Sequence, residues 1–185
     1  MLDPLAQFYL RAGWNVPAVE EIPGGAVPGA VAPVLVHDRE MTLGLERYHE
    51  TEVGIRVLAR VCSEDVYARQ VVLTRAADDT PLALAAVELR LDALPADARA
   101  AVRAEETPLG LILRGICPTI RRTHHGYFRF QPDAHVRRVL QSDVAEWVYG
   151  RRGVLTDAGP TPVATLIEVV APLAPRRADT IPRVC

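Results

Sequence analysis

Three consecutive segments between Val53 and Leu91 show a period of two, and this pattern constrains the fold more than any other feature of the chain. The segments are VGIRVLARVC, VYARQVVLTRA and PLALAAVELRL, and the polar turns 63–65 and 76–80 separate them. Alternation rich in β-branched residues predicts strands. Short polar connections join antiparallel neighbours. We therefore predict a three-stranded antiparallel meander.

Helical patterns precede and follow this meander. They cover residues 3–12, 40–50 and, as two short helices, 92–116. We expect Thr107 to cap the last of these helices, with Pro108 at its first position, because proline lacks the amide that would go unpaired there. Residues 118–132 are typical of an irregular strand or hairpin. Strands with helices between them predict an α+β fold with a mostly antiparallel sheet and helices packed over it.

The composition is that of an ordinary globular domain. The chain has 185 residues, 49% of them apolar, and a formal net charge of -2. We expect one domain over residues 1–185. The charge balance gives no general attraction to nucleic acid or anionic membranes, and no run of about 18 apolar residues predicts a membrane span. The three cysteines have neither the paired spacing of a zinc site nor the density of a secreted disulfide scaffold, and the N-terminus is unlike a signal peptide, so we expect a cytoplasmic protein. We also expect a monomer.

All 21 basic residues are arginine, and the chain contains no lysine. A Schiff base needs an amine nucleophile, so lysine-dependent aldolase, decarboxylase and pyridoxal phosphate chemistry is excluded. Arginine instead presents a permanently charged planar fork that fits a carboxylate. The basic residues therefore favour recognition of small anions.

Two charged residues interrupt apolar strand faces. Alternation in VYARQVVL places Arg69 on a face with apolar neighbours, and Glu168 is the only charge in TPVATLIEVVAPLAP. An isolated buried carboxylate is costly unless it is neutral or paired. If both faces line one cavity, the two groups suit a small ligand with polar ends. The alternatives are an Arg69–Glu168 ion pair without a ligand, or two side chains that reach out from an exposed sheet face.

The order of these features resembles the chorismate pyruvate-lyase (4-hydroxybenzoate synthase) family over residues 38–175. The segments that carry the resemblance are Met41-Thr42 at a helix start, the strand VYARQVVL, the motif Thr107-Pro108-Leu109-Gly110, and the closing YGRRGVLTDAGPTPVATLIEVVAPLAP. The resemblance implies an antiparallel sheet, two helical flaps that cover an internal ligand pocket, and no metal or organic cofactor.

The resemblance also implies roles for single residues. Arg69 falls where the family binds a ring carboxylate, and the backbone amides of Met41 and Leu109 complete that site. Glu168 falls where the family's glutamate meets a ring hydroxyl or ether oxygen. The enolpyruvyl carboxylate of the substrate that the resemblance implies also needs a counterion, which makes Arg151 and Arg152 further candidates. A solvated turn after Tyr149-Gly150 is the alternative for them.

The resemblance leads us to expect a chorismate pyruvate-lyase, which eliminates pyruvate from chorismate and leaves a hydroxybenzoate. The product isomer we expect is 4-hydroxybenzoate. Arg69 would anchor the ring carboxylate. Glu168 would act at the ether oxygen as acid or hydrogen-bond partner, in an apolar setting that raises a carboxyl pKa. One alternative is a non-catalytic effector-binding domain of the same fold, and another is a repurposed enzyme with a different pathway-specific substrate.

Other signals are weak. His124 and His125 are adjacent, so on a strand they point to opposite faces and do not favour a shared metal. Arg121 and Arg122 lie near aromatic residues, but the charge balance does not support nucleic-acid stacking. The Pro- and Gly-rich residues 22–33 are typical of a loop. We expect no metal, no cofactor and no nucleic-acid partner.

Overall fold

A computed structural model describes residues 2–143, 146–157 and 162–173, with residues 123–125 described at the backbone only. The helices are α1 (Leu5–Arg11), α2 (Ala32–Leu35), α3 (Met41–His49), α4 (Ala96–Ala104), α5 (Leu109–Ile116) and α6 (Ala134–Leu140). The strands are β1 (Glu20–Ile22), β2 (Val53–Cys62), β3 (Val66–Arg75), β4 (Pro81–Arg90), β5 (Arg121–Phe130), β6 (Val148–Thr156) and β7 (Pro162–Val170).

The strands of the described residues form one sheet of seven strands in the order β1-β5-β6-β7-β4-β3-β2. Every neighbouring pair is antiparallel. The predicted meander is confirmed as β2, β3 and β4. The closing strand β7 is inserted between β4 and β6, so the last strand in sequence lies at the centre of the sheet. This position explains its apolar sequence, because both of its faces are covered.

Helices cover both faces of the sheet. On one face, which we call the back face, α1 and α6 pack on side chains such as Val72, Leu84 and Ile167, all 0% exposed. On the other, the front face, two further apolar clusters lie under α2 and α3 and under α4 and α5. Alternation along β3 and β7 separates the two faces as predicted. The α+β fold with helices over an antiparallel sheet is confirmed.

The Pro- and Gly-rich stretch departs from the loop prediction. Ile22 belongs to the edge strand β1, residues Gly24–Ala26 form a turn of 3-10 helix, and α2 begins at Ala32. Val34 and Leu35 of α2 are 0% exposed in the front-face core. Local composition was misleading here because burial of apolar side chains against the sheet outweighs a poor helix propensity.

Among the described helices, none has the length and apolar character needed to cross a membrane.

Candidate functional site

A cavity of about 280 Å³ lies on the front face, between the centre of the sheet and the N-terminal ends of α3 and α5. Its floor comes from β3, β4 and β7, with Val71, Val87 and Leu166 among the apolar side chains. Arg69 and Glu168 both line it. The two residues stand two strands apart with β4 between them, or about 10 Å across the sheet. The sequence thus placed both charges correctly on one enclosed face.

Arg69 is buried without an acidic partner. The residue is 1% exposed, and its Nη2 donates to the carbonyl of Thr107 at 3.2 Å. Its Nε and Nη1 have no hydrogen-bond partner. Burial lowers the pKa of the guanidinium, against smaller opposing effects of Tyr67 and Glu105, but an arginine remains charged in proteins. Two donor nitrogens therefore lack a partner among the described residues and are available to an anion in the cavity.

Thr107 does not cap α5 as predicted. The helix begins at Leu109, the capping position belongs to Pro108, and no side chain caps it. The Thr107 carbonyl instead holds Arg69. The Thr107-Pro108-Leu109-Gly110 motif therefore contributes a backbone carbonyl, which connects the start of α5 to Arg69 on β3.

Glu168 is ionised and paired at the other end of the cavity. Its Oε2 accepts from Nε of Arg151 at 2.6 Å and from Nη2 of Arg122 at 3.3 Å. Burial alone would raise the pKa of this carboxyl, but Arg151 and Arg122 together hold the pKa below its usual range. The expectation of a raised pKa is therefore wrong. The apolar sequence around Glu168 did not indicate that two guanidinium groups, from β5 and β6, would contact it.

Arg151 supports Glu168 from behind and does not line the cavity. It is 0% exposed and lies directly opposite Glu168 in the β6–β7 pair. Its Nη1 donates to the carbonyls of Leu35 and His37 at 3.1 Å, and Nη2 donates to the Arg39 carbonyl at 3.1 Å. These contacts fix the guanidinium and join the segment before α3 to the centre of the sheet. Arg151 is thus a positioning residue.

His37 adds to this support as a neutral ring. Its Nδ1 accepts from the amide of Arg39 at 3.1 Å and lies 3.3 Å from Nη1 of Arg151. Burial and the adjacent Arg151 charge lower the pKa of the imidazole. A neutral His37 avoids a further positive charge next to Arg151.

The structure does not bring Arg152 to the cavity. The side chain is 48% exposed and pairs with Glu21 at 3.0 Å. Arg151 and Arg152 are successive strand residues, so they point to opposite faces. Neither lies in the solvated turn that was the alternative, because both belong to β6.

Met41 and Leu109 are the first residues of α3 and α5, and both line the cavity. The first amides of a helix have no partner inside it, and the helix dipole favours an anion there. The two helix starts approach closely, since a Cβ on Gly110 would lie 2.9 Å from Cβ of Glu40. The starts of both helices thus lie at the cavity that holds Arg69, and α3 and α5 are the predicted helical flaps.

Sequence reasoning missed Arg122 as a member of this site. Its side chain is 6% exposed, it lines the cavity, and its Nη1 is buried without a partner. The β5–β6 pairing shifts register between Arg122 and His124. Such a bulge breaks the period of two, so alternation does not show which face a residue occupies. The sequence feature that could have indicated an anion site is the Arg121-Arg122 pair at the start of β5, which was interpreted only as a possible nucleic-acid contact.

Among the described residues there is no group of three His, Cys, Asp or Glu arranged for a metal ion. The side chains of His124 and His125 lie outside the described part of the structure.

Sheet, flaps and cavity together define an α+β protein with an enclosed pocket on one sheet face. Among solved structures, the fold is similar to the effector domain of PhnF from Mycobacterium smegmatis, with a TM-score of 0.54 and 17% identity over 72% of this chain and 88% of that one. A structure of PhnF from the same organism gives a TM-score of 0.53 and 17% identity over 74% of this chain. This chain covers 65% of that PhnF chain, which is less than two thirds of its length.

No protein-family model matches the chain, and comparison with curated proteins gave no match. At 17% identity the structural similarity shows a shared fold and nothing finer.

Proposed function

We propose that this chain is an effector-type domain that binds a small carboxylate-bearing molecule in the front-face cavity without transforming it. The observation that carries the proposal is Arg69, a buried cation with two donor nitrogens that lack a partner among the described residues, in an enclosed apolar pocket. Leaving such donors unpaired is unfavourable, and a ligand carboxylate would be a charge-assisted acceptor for this guanidinium. The backbone amides at the helix starts Met41 and Leu109 would complete its environment.

Two further observations favour binding over catalysis. The fold is similar to a structure described as an effector domain. In addition, Glu168 is ionised between Arg151 and Arg122, whereas a general acid at an ether oxygen must begin protonated. An ionised Glu168 suits a fixed hydrogen-bond acceptor for a ligand hydroxyl.

Isothermal titration with 4-hydroxybenzoate and benzoate tests the proposal. Wild-type protein is expected to bind, and Arg69→Gln is expected to weaken binding about tenfold or more, because a charge-assisted contact contributes about 1.5–3 kcal/mol. Arg56→Gln is the matched control, since Arg56 is an exposed arginine on the adjacent strand β2. Equal affinities of wild type and Arg69→Gln would contradict the proposal.

Chorismate lyase activity is the second candidate, and the convergence of Arg69 and Glu168 on one cavity favours it. In that case Arg69 would anchor the ring carboxylate, and Glu168 would act on the ether oxygen or the ring hydroxyl. Incubation with chorismate separates the candidates. Pyruvate, detected by coupled reduction with lactate dehydrogenase, would support the lyase. Saturable binding of chorismate without pyruvate would support the effector domain. The absence of both binding and pyruvate would indicate a different ligand or substrate.

A further inference from the structure

Two buried arginines of the cavity, Arg69 and Arg122, have guanidinium nitrogens without a hydrogen-bond partner among the described residues. Glu168 is shared by two guanidinium groups, and its contact to Arg151 is shorter than its contact to Arg122, 2.6 Å against 3.3 Å. Arg151 is also held by three backbone carbonyls. Arg151 is therefore the closer partner of Glu168, and Arg122 is the more distant one.

Arg122 has the same unsatisfied character as Arg69. Its Nη1 is buried without a partner, as are Nε and Nη1 of Arg69. Within the described residues Arg69 makes no ion pair, and Arg122 makes one only with Glu168. Asp38 and Glu40 also line the cavity. The charge of Glu40 favours the charged form of Arg122, but within the same residues no ion pair joins Glu40 to either arginine. Buried N–H donors without a partner are unfavourable, so both guanidinium groups favour an anionic partner from outside the chain.

The two arginines lie at separate ends of the cavity. Arg69 is on β3, whereas Arg122 is on β5 beyond Glu168, and the sheet order places β4, β7 and β6 between their strands. Apolar side chains such as Val87, Leu166 and Leu155 lie between the two ends. One ligand group cannot reach both arginines unless it spans this apolar floor.

We propose that Arg122 is a specificity-determining residue, which binds a second anionic group of the ligand, so that the cavity selects molecules with two acidic groups on a compact apolar frame. This inference rests on the proposed function, because it assigns the first acidic group to Arg69. A molecule with one carboxylate fills only the Arg69 end and leaves Arg122 unpaired.

The test compares benzoate with its dicarboxylate analogues isophthalate and terephthalate by isothermal titration. Wild-type protein is expected to bind the better dicarboxylate about tenfold or more tightly than benzoate, since a second charge-assisted contact forms. Arg122→Gln is expected to abolish this preference, so that the dicarboxylates and benzoate bind this variant with affinities within about twofold of one another. Arg122→Lys keeps the charge and is expected to retain part of the preference.

Arg152→Gln is the matched control, because Arg152 is an exposed arginine of the neighbouring strand β6 that pairs with Glu21. It is expected to keep the wild-type preference. Circular dichroism tests whether each variant folds. If Arg122→Gln does not fold, the dicarboxylate preference of Arg122→Lys is the test of the inference. An undiminished dicarboxylate preference in the folded Arg122 variants would overturn the inference.

Failure of this inference differs from failure of the proposed function. If wild type binds benzoate through Arg69 but shows no preference for dicarboxylates, only the assignment of a second anionic group to Arg122 is wrong. If benzoate binding is absent or insensitive to Arg69→Gln, the proposed function itself fails.

Discussion

At the scale of single residues, the main property of the site is which buried charged side chains have an oppositely charged partner. Glu168 lies between two arginines, whereas Arg69 has no acidic partner among the described residues. Neither of the alternatives considered from sequence occurs, because Arg69 and Glu168 do not pair with each other and neither reaches solvent. The two charges in apolar strands therefore differ within one cavity: Glu168 is paired with Arg151 and Arg122, whereas Arg69 has donor nitrogens without a partner among the described residues.

Glu168→Gln is expected to destabilise the protein by about 3–5 kcal/mol at pH 7, because removal of one partner leaves buried arginines unpaired. Urea unfolding measures the difference. Glu21→Gln is the control, since Glu21 forms an exposed pair with Arg152 and such pairs contribute at most about 1 kcal/mol.

The difference in unfolding free energy between wild type and Glu168→Gln is also expected to depend on pH. Because the pKa of Glu168 is lower in the folded protein than its ordinary value of 4.5, the unfolded state takes up the proton first as pH falls. The stabilisation by the ionised carboxylate is thus complete above about pH 4.5 and is lost progressively below it. The stability difference between wild type and Glu168→Gln should narrow below that pH. A constant difference from neutral to acid pH would contradict an ionised, paired Glu168.

At the scale of elements, the flaps depend on how closely α3 and α5 approach. A Cβ on Gly110 would lie 2.9 Å and 3.2 Å from Cβ and Cγ of Glu40 and 3.3 Å from Oγ1 of Thr42. A glycine is needed here for space, so that both helix starts can face the same cavity. The TPLG motif therefore combines a helix start, a backbone contact to Arg69 and a close helix crossing.

Gly110→Ala is expected to force α5 away from α3, to destabilise the fold by about 1–3 kcal/mol and to weaken ligand binding. Gly115→Ala, in the same helix, is the control, because a Cβ there meets nothing within 4 Å. Alanine at that position should be neutral or stabilise by up to about 1 kcal/mol. Thermal unfolding and titration with benzoate measure both effects, and equal behaviour of the two variants would contradict the close crossing.

At the scale of the whole molecule, the ligand site is enclosed by the two-layer arrangement of the front face. Cys117 follows α5 directly, lines the cavity and is 8% exposed, and burial raises the pKa of its thiol. Reagents and ligand must reach the same enclosed space. The thiol therefore reports on occupancy of the cavity.

In a Cys62→Ser/Cys185→Ser background, maleimide labelling of Cys117 is expected to be slow and to fall about tenfold when benzoate is present at ten times its dissociation constant. Mass spectrometry measures the labelling rate. An unchanged rate at saturating benzoate would place the ligand elsewhere. The expectation of a monomer stays a prediction, which sedimentation equilibrium tests.

The sequence alone predicted the strands β2, β3, β4 and β7 and the alternation of their side chains. Alternation in β3 and β7 predicted that Arg69 and Glu168 each share a face with apolar side chains, because side-chain direction in a strand follows from local geometry. That these two faces line one cavity was only a hypothesis from the sequence, and strand pairing decided it. The helices that begin at Met41 and Leu109 were predictable from local pattern for the same reason.

Only the tertiary structure decided which charges meet. Arg122 faces the cavity through a bulge, Arg151 lies behind Glu168 through cross-strand register, and residues 22–33 are ordered by burial against the sheet. The protonation state of Glu168 also depended on these contacts, since the electrostatic effect of each arginine falls with distance in space and not along the chain. A local pattern contains no information on such distances, which is why it predicted the strands correctly and the pKa wrongly.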